Sequence, residues 1–122
     1  MCIISFRGGK SNTFAPFGRE AVAQLGILVN TAKHLQHVSG LTRAALAAGG
    51  RVAIFIMDEG TRLLADRDLA SLAELEGVTV SVCEHSAQGF GVTPLGVSAR
   101  IRFGSQLNNA SMVGAADRVV VL

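Results

Sequence analysis

From Leu25 onward the chain alternates short apolar runs with stretches of helical periodicity, the pattern that successive strand–helix–strand units leave in a sequence. Residues 25–30 (LGILVN) form an apolar run closed by polar Asn30 and Thr31, which predicts a buried strand. Across residues 33–48, Leu35, Val38, Leu41, Ala45 and Ala48 fall on one stripe at about 100° per residue. That spacing predicts a helix with one buried face, and Gly49-Gly50 stops it. Residues 51–57 (RVAIFIM) read as the second strand, ended by Asp58-Glu59-Gly60.

Residues 61–65 and 68–76 read as one short and one longer helical piece, the latter with Leu69, Leu72 and Leu75 on its apolar face and Gly77 as its stop. Residues 78–83 (VTVSVC), β-branched and apolar, are the third strand. After a loop around Gly89, Gly91 and Pro94, residues 100–103 suit a short extended segment, and Ser105 is a natural N-cap for a helix to about Ala115. Residues 118–122 (RVVVL) are the last strand. The fold class expected is α/β: a three-layer α/β/α sandwich with a mainly parallel sheet of four to five strands, because each crossover carries a helix. The first 24 residues do not fit the repeat: MCIISF suits an extra edge strand, while residues 8–12 and 16–18 look like loop, so the segment is either an added element or a poorly ordered leader.

Length and composition narrow the picture. At 122 residues the chain suits one domain with its core in residues 25–122. A hydrophobic fraction of 49% with only 16% charged residues leaves more apolar side chains than so small an interior takes, which points to subunit contacts. The net charge of +2, with no interleaving of basic and aromatic residues, argues against nucleic acid as a direct ligand. No run approaches the roughly 18 apolar residues of a membrane span, so a soluble, cytoplasmic protein is expected. Two cysteines far apart do not make a disulfide framework; the expectation is one buried, inert thiol, Cys2, and one reactive thiol, Cys83.

Cys83 carries the candidate chemistry because it stands where a strand stops and polar Glu84-His85-Ser86 begins. Functional groups of open α/β sheets gather outside the carboxyl ends of the strands, where free N–H groups favour an anion such as a thiolate. Its ordinary alternative is a core cysteine packing as a small hydrophobe. His85 is placed to supply positive charge or a proton, with Glu84 acting the other way. His34, at the start of the first helix and in phase with its apolar stripe, is expected on the same side of the sheet as Cys83, able to line the site. His37 is assigned to the surface or a subunit contact. Asn30 and Asp58 end the first two strands, and Gln106, Asn108 and Asn109 lend polarity to the last helix; Asn30, Asp58, Gln106 and Asn109 are candidate ligand-binding residues.

Other motifs fail. Gly9-Lys10-Ser11 lacks the earlier glycine of a phosphate loop, since that position is Ile4, and Gly89-Phe90-Gly91 does not continue as a dinucleotide loop because position 94 is proline. Cys83-Glu84-His85 matches no strong zinc spacing. No cofactor and no metal are therefore expected.

Three blocks of the chain, residues 25–64, VTVSVCEHSAQGFGV and RFGSQLNNASMVGAADRVVVL, resemble successive blocks of the DsrE/DsrF-like (DsrEFH, TusBCD-related) family. The most telling features are the strand-ending MDEG, the cysteine at the end of the third strand with glycine eight residues on, and the closing AADRVVVL. The resemblance implies a small α/β protein assembling into trimers or hexamers, some of whose members carry sulfur as a cysteine persulfide, here at the position of Cys83. It also implies protein partners: a DsrC/TusE-like acceptor and rhodanese- or TusA-like donors. The segment CEHSAQGFG departs from the CxxAAxxRRG form of the best-known carriers by lacking its arginines. Other subunits of the family have no active cysteine and serve structurally, so a non-catalytic oligomeric subunit or small-ligand-binding module is the alternative.

Overall fold

The computed structural model describes residues 2–5 and 22–122. Its elements are β1 (Cys2–Ser5), β2 (Gln24–Val29), α1 (Leu35–Ala47), β3 (Arg51–Ile56), a 3-10 helix (Asp58–Leu63), α2 (Arg67–Ala73), β4 (Val78–Cys83), α3 (Glu84–Gly89), β5 (Ile101–Gly104), α4 (Gln106–Ala115) and β6 (Arg118–Val121). The edge strand expected at the start is therefore present over Cys2–Ser5. The loop readings at 8–12 and 16–18 lie outside the described residues.

Among the described residues the sheet has six strands in the order β1-β6-β2-β3-β4-β5, more than the four to five expected. All neighbours are parallel except β1, which runs antiparallel to β6. The handedness of the crossovers explains where the helices go. From β2 through β3 and β4 the chain steps in one direction, so right-handed connections put α1 and α2 on one face. From β5 it returns across the sheet to β6, and the same handedness puts α4 on the opposite face.

Two cores result. Ile27, Val29, Val52, Ile54, Ile56, Val78, Val80 and Val82 face α1 and α2 and build the larger one. Ala53, Phe55, Cys83 and Met112 build a smaller one under α4, with Leu28, Met57 and Val113 against it. In β4 the period of two therefore sends the valines one way and Thr79, Ser81 and Cys83 the other. Among the described residues, Thr79, Ser81 and Arg102 line a groove of about 620 Å³ beside α4.

Contact between α4 and the sheet depends on Gly26. A Cβ there would lie 3.2 Å from both the Ala116 Cβ and a Val119 methyl, so only glycine lets the helix end pack this closely. The other end of α4 is fixed by a capping box: the Ser105 hydroxyl accepts from the Leu107 N–H, and Asn108 Oδ1 accepts from the Ser105 N–H at 2.9 Å. The start of α4 is thus held at the carboxyl edge of the sheet, next to the end of β4.

Candidate functional site

Cys83 is the last residue of β4 and the N-cap of α3, with extended backbone (φ −69°, ψ 112°). The expectation for the two cysteines is reversed: Cys2 is exposed and Cys83 is buried, with 4% of its surface accessible. The reason is topological, since Cys2 lies on the edge strand while β4 is interior and its end is roofed by α4.

Burial is the largest influence on the Cys83 thiol and by itself raises its pKa. Four polar groups outweigh it. The Ser86 N–H, the Ser86 hydroxyl, the Gln106 side-chain amide and the His85 N–H all face the sulfur, and the net result is a pKa below the ordinary value of 9.0. The neutral thiol does not itself close a capping hydrogen bond on α3; the donors act on the charge that appears when the proton leaves.

A linkage consequence follows. A thiol whose folded pKa is depressed releases its proton before the unfolded chain does, so the unfolded state binds more protons between the two values. Native stability should rise with pH up to 9.0 on account of Cys83. Urea denaturation of the wild type and Cys83→Ala at neutral and alkaline pH measures this, and equal pH slopes for the two proteins would refute it.

Around the sulfur, Gln106 joins several groups. Its Oε1 accepts from Asn109 Nδ2 at 3.1 Å, and its Nε2 points to the Met57 Sδ at 3.9 Å. Of the ligand-binding candidates, the structure therefore brings Gln106 to the thiol and Asn109 to Gln106. Asn109 Oδ1 is buried without a partner. Asp58 follows Met57 and has a left-handed backbone (φ 49°), a conformation that aspartate tolerates better than most residues. Its carbonyl accepts from the Thr61 hydroxyl at 2.8 Å, which starts the 3-10 helix three residues before the expected helical piece. Gly60, within that helix, has no room for a side chain: a Cβ would lie 2.5 Å from the Val29 carbonyl oxygen. Asn30 sits half-buried just past β2, and none of the hydrogen bonds described links it to Cys83.

The histidines stand differently from expectation. The side chain of His85 is exposed, and it is its backbone N–H that faces the sulfur. His34 is the N-cap residue of α1, whose Val38 belongs to the larger core, whereas Cys83 belongs to the smaller core on the other face. His34 thus shares the carboxyl edge with Cys83 but lies across the sheet, and its ring packs edge-on against His37 at 5.5 Å. His37 is exposed, as assigned.

Sequence reasoning gave no separate element to α3. Its Ala87 anchors it in the larger core, and the Arg62 guanidinium lies 5.2 Å from the Phe90 ring at its end, bracing it against the 3-10 helix. Ser86, three residues past the strand-ending cysteine, leaves no capping signal in the sequence, because its N–H and hydroxyl meet the sulfur only once Cys83 becomes the N-cap of α3. Neither the groove beside α4 nor a second cleft, of about 690 Å³ at the amino edge, includes Cys83, Asn30, Asp58, Gln106 or Asn109. Among the described residues no three His, Cys, Asp or Glu side chains cluster to hold a metal, and no helix is long and apolar enough to cross a membrane.

No protein-family model and no curated protein sequence matches the chain. Among solved structures it is similar to the ychN protein from E. coli, with a TM-score of 0.64 and 13% identity, covering 84% of this chain and 100% of that one. It is also similar to MTH1491 from Methanobacterium thermoautotrophicum, described as a protein of unknown function, with a TM-score of 0.67 and 13% identity, covering 82% and 99% of the two chains. At that identity the likeness shows the fold alone, a mostly parallel α/β sandwich.

Proposed function

We propose that the chain is a sulfur-carrier or sulfurtransferase subunit in which Cys83 holds a persulfide and passes the sulfur to a partner protein. The observation that carries the reading is the set of donors around Cys83: the two N–H groups, the Ser86 hydroxyl and the Gln106 amide, which together lower the pKa of a thiol that burial alone would raise. The Cys83 thiolate attacks the outer sulfur of a donor persulfide; a new S–S bond forms, the donor's S–S bond breaks, and the donor leaves as a thiolate. In the second step an acceptor thiolate attacks the outer sulfur held on Cys83, and Cys83 leaves as the thiolate. Neither step needs an external oxidant or reductant. His85 contributes its backbone N–H to this chemistry, while His34 across the sheet has no part in it.

The donor and acceptor are proteins with reactive thiols in a reducing cytoplasm, and the working form is a homotrimer or hexamer. Exposed Leu95 and Leu107, 92% and 74% accessible in the single chain, are consistent with surfaces that a partner or a second copy covers. The test incubates the purified protein with a persulfide donor and looks by mass spectrometry for one added sulfur on the Cys83 peptide. Loading on Cys83 and not on Cys2 is expected; an unloaded Cys83, under conditions that load an established carrier, would remove the proposal.

The burial of Cys83 favours a second reading, a non-catalytic oligomeric subunit or small-ligand-binding module in which the thiol only packs. That reading expects an unloaded Cys83 and a Cys83→Ser variant unchanged in assembly and cellular role.

A further inference from the structure

We propose that the groove beside α4 is a binding site for a small organic anion whose acidic group pairs with Arg102. The site goes beyond the carrier reading and does not depend on it, since Cys83 is not among the residues that line the groove. Two walls build it. On the sheet, Thr79 and Ser81 stand two residues apart in β4 and so share a face, and Ser81 is the register partner of Arg102 in β5. Strand alternation sends the neighbouring Ile101 into the larger core, which leaves Arg102 on the side of α4. On the helix, Asn108, Ser111 and Met112 recur at three- and four-residue spacing, one side of α4 turned to the same groove.

Charge decides the class of ligand. The groove is lined by Arg100 and Arg102 and by no aspartate or glutamate, whereas the cleft at the amino edge matches Arg51 with Glu76. Arg100 is committed, because its Nε lies 3.4 Å from Glu74 Oε2. Among the described residues that is the one ion pair, so the charge on Arg102 is left uncompensated. The surrounding groups suit an oxyanion. The hydroxyls of Thr79, Ser81 and Ser111 can each donate, and Asn108, whose Oδ1 already accepts from the Ser105 N–H, has its Nδ2 hydrogens to offer. A volume of about 620 Å³ is that of a small-molecule site and exceeds what a bare inorganic ion fills. The anion therefore carries a body, for which Ala53 and Met112 of the small core supply apolar contact. A carboxylate and a phosphate monoester both match the planar fork of an arginine, and titration tells them apart.

The test follows methionine methyl groups by 13C NMR, which serves a monomer and a larger assembly alike. Met112 lines the groove, and Met57, beside Gln106 at the carboxyl edge, lies outside it as an internal control. Protein labelled at the methionine methyls is titrated with benzoate, phenyl phosphate and neutral benzyl alcohol. One of the two anions should shift Met112 saturably, with a Kd at or below about 1 mM, and leave Met57 in place; the tighter of the two identifies the acid. Benzyl alcohol should bind at least about tenfold more weakly, and Arg102→Gln should weaken the anion by a similar factor, since a charge-assisted hydrogen bond is lost. Arg102→Lys should lose less, because the charge remains without the fork. Arg118→Gln, on β6 and outside the groove, should bind as the wild type does. Arg102 is exposed, so its variants keep the fold. Equal affinity for benzyl alcohol and the anions, a Met112 signal that no anion moves, or undiminished binding by Arg102→Gln would overturn the site. A Met112 signal that responds to dilution of the protein and not to the anions would also overturn it, assigning the groove to a second copy of the chain.

Discussion

Cys83→Ser should abolish transfer of sulfur from a persulfide donor to an acceptor thiol while leaving the fold in place. The two halves of this expectation have separate physical causes. A serine hydroxyl at neutral pH is neither ionised nor able to hold a sulfane sulfur by thiol exchange, so transfer should fall to the uncatalysed background. The fold should survive because Cys83 is the N-cap of α3, a position that favours serine, and the N–H groups of His85 and Ser86 give the new hydroxyl its partners. The hydroxyl is smaller than the sulfur and leaves a slight gap beside Phe55. The cap gain and the packing loss oppose each other at about 1 kcal/mol each, so Tm should move by only a few degrees. Transfer assays and thermal melts on one preparation check both halves. Undiminished transfer would assign the thiol to packing, and a collapsed fold would show that the sulfur is needed for structure.

Phe55→Ala should have the largest effect on stability. Phe55 has no accessible surface, sits on the interior strand β3, and is the largest side chain of the small core that also holds Cys83 and Met112. Truncating a buried phenylalanine costs about 3–5 kcal/mol, from lost transfer free energy and the cavity left behind. A domain of this size has a total of about 5–15 kcal/mol, so Tm should fall by on the order of 15 °C. Among the described residues the small core has few other members to close the gap, and α4 is the one helix over it. Phe55→Leu, which keeps most of the volume, should cost about 1.5 kcal/mol or less. Urea denaturation of the three proteins measures the order. A loss below about 1 kcal/mol for Phe55→Ala would show that α4 does not pack on this face as described.

Much of this architecture was legible in the residues, and particular positions show why. Strand β4 coincides with the VTVSVC run, and α4 begins after Ser105 and ends at Ala115, because a β-branched run and a serine cap are strong local signals. The same run also held the face of Cys83: alternation puts it with Thr79 and Ser81 on the side away from the valines, and so away from α1 and His34. Placing His34 beside the thiol took account of the sheet's edge but not of its two faces. Helix α3 was missed because six residues ending in glycine are too few to show a period. Strand order and the position of β5 are set by pairing across the sheet and leave no local mark.

Gln106 and Asn109 were legible as polarity and not as function. Their relation to Cys83 spans more than twenty residues of chain and exists only because β5 lies beside β4 and delivers the start of α4 to the end of that strand. Residues 83 and 104 are register partners, so the helix that follows Gly104 opens over the sulfur.

The most direct test compares the pH dependence of Cys83 alkylation in the folded protein with that of the same cysteine in urea, each followed on its own peptide. The folded midpoint should lie below the unfolded one, because the donors from α3 and α4 exist only in the native structure. A folded midpoint equal to or above the unfolded one would mean that burial prevails and that the fold does not prepare this sulfur for exchange.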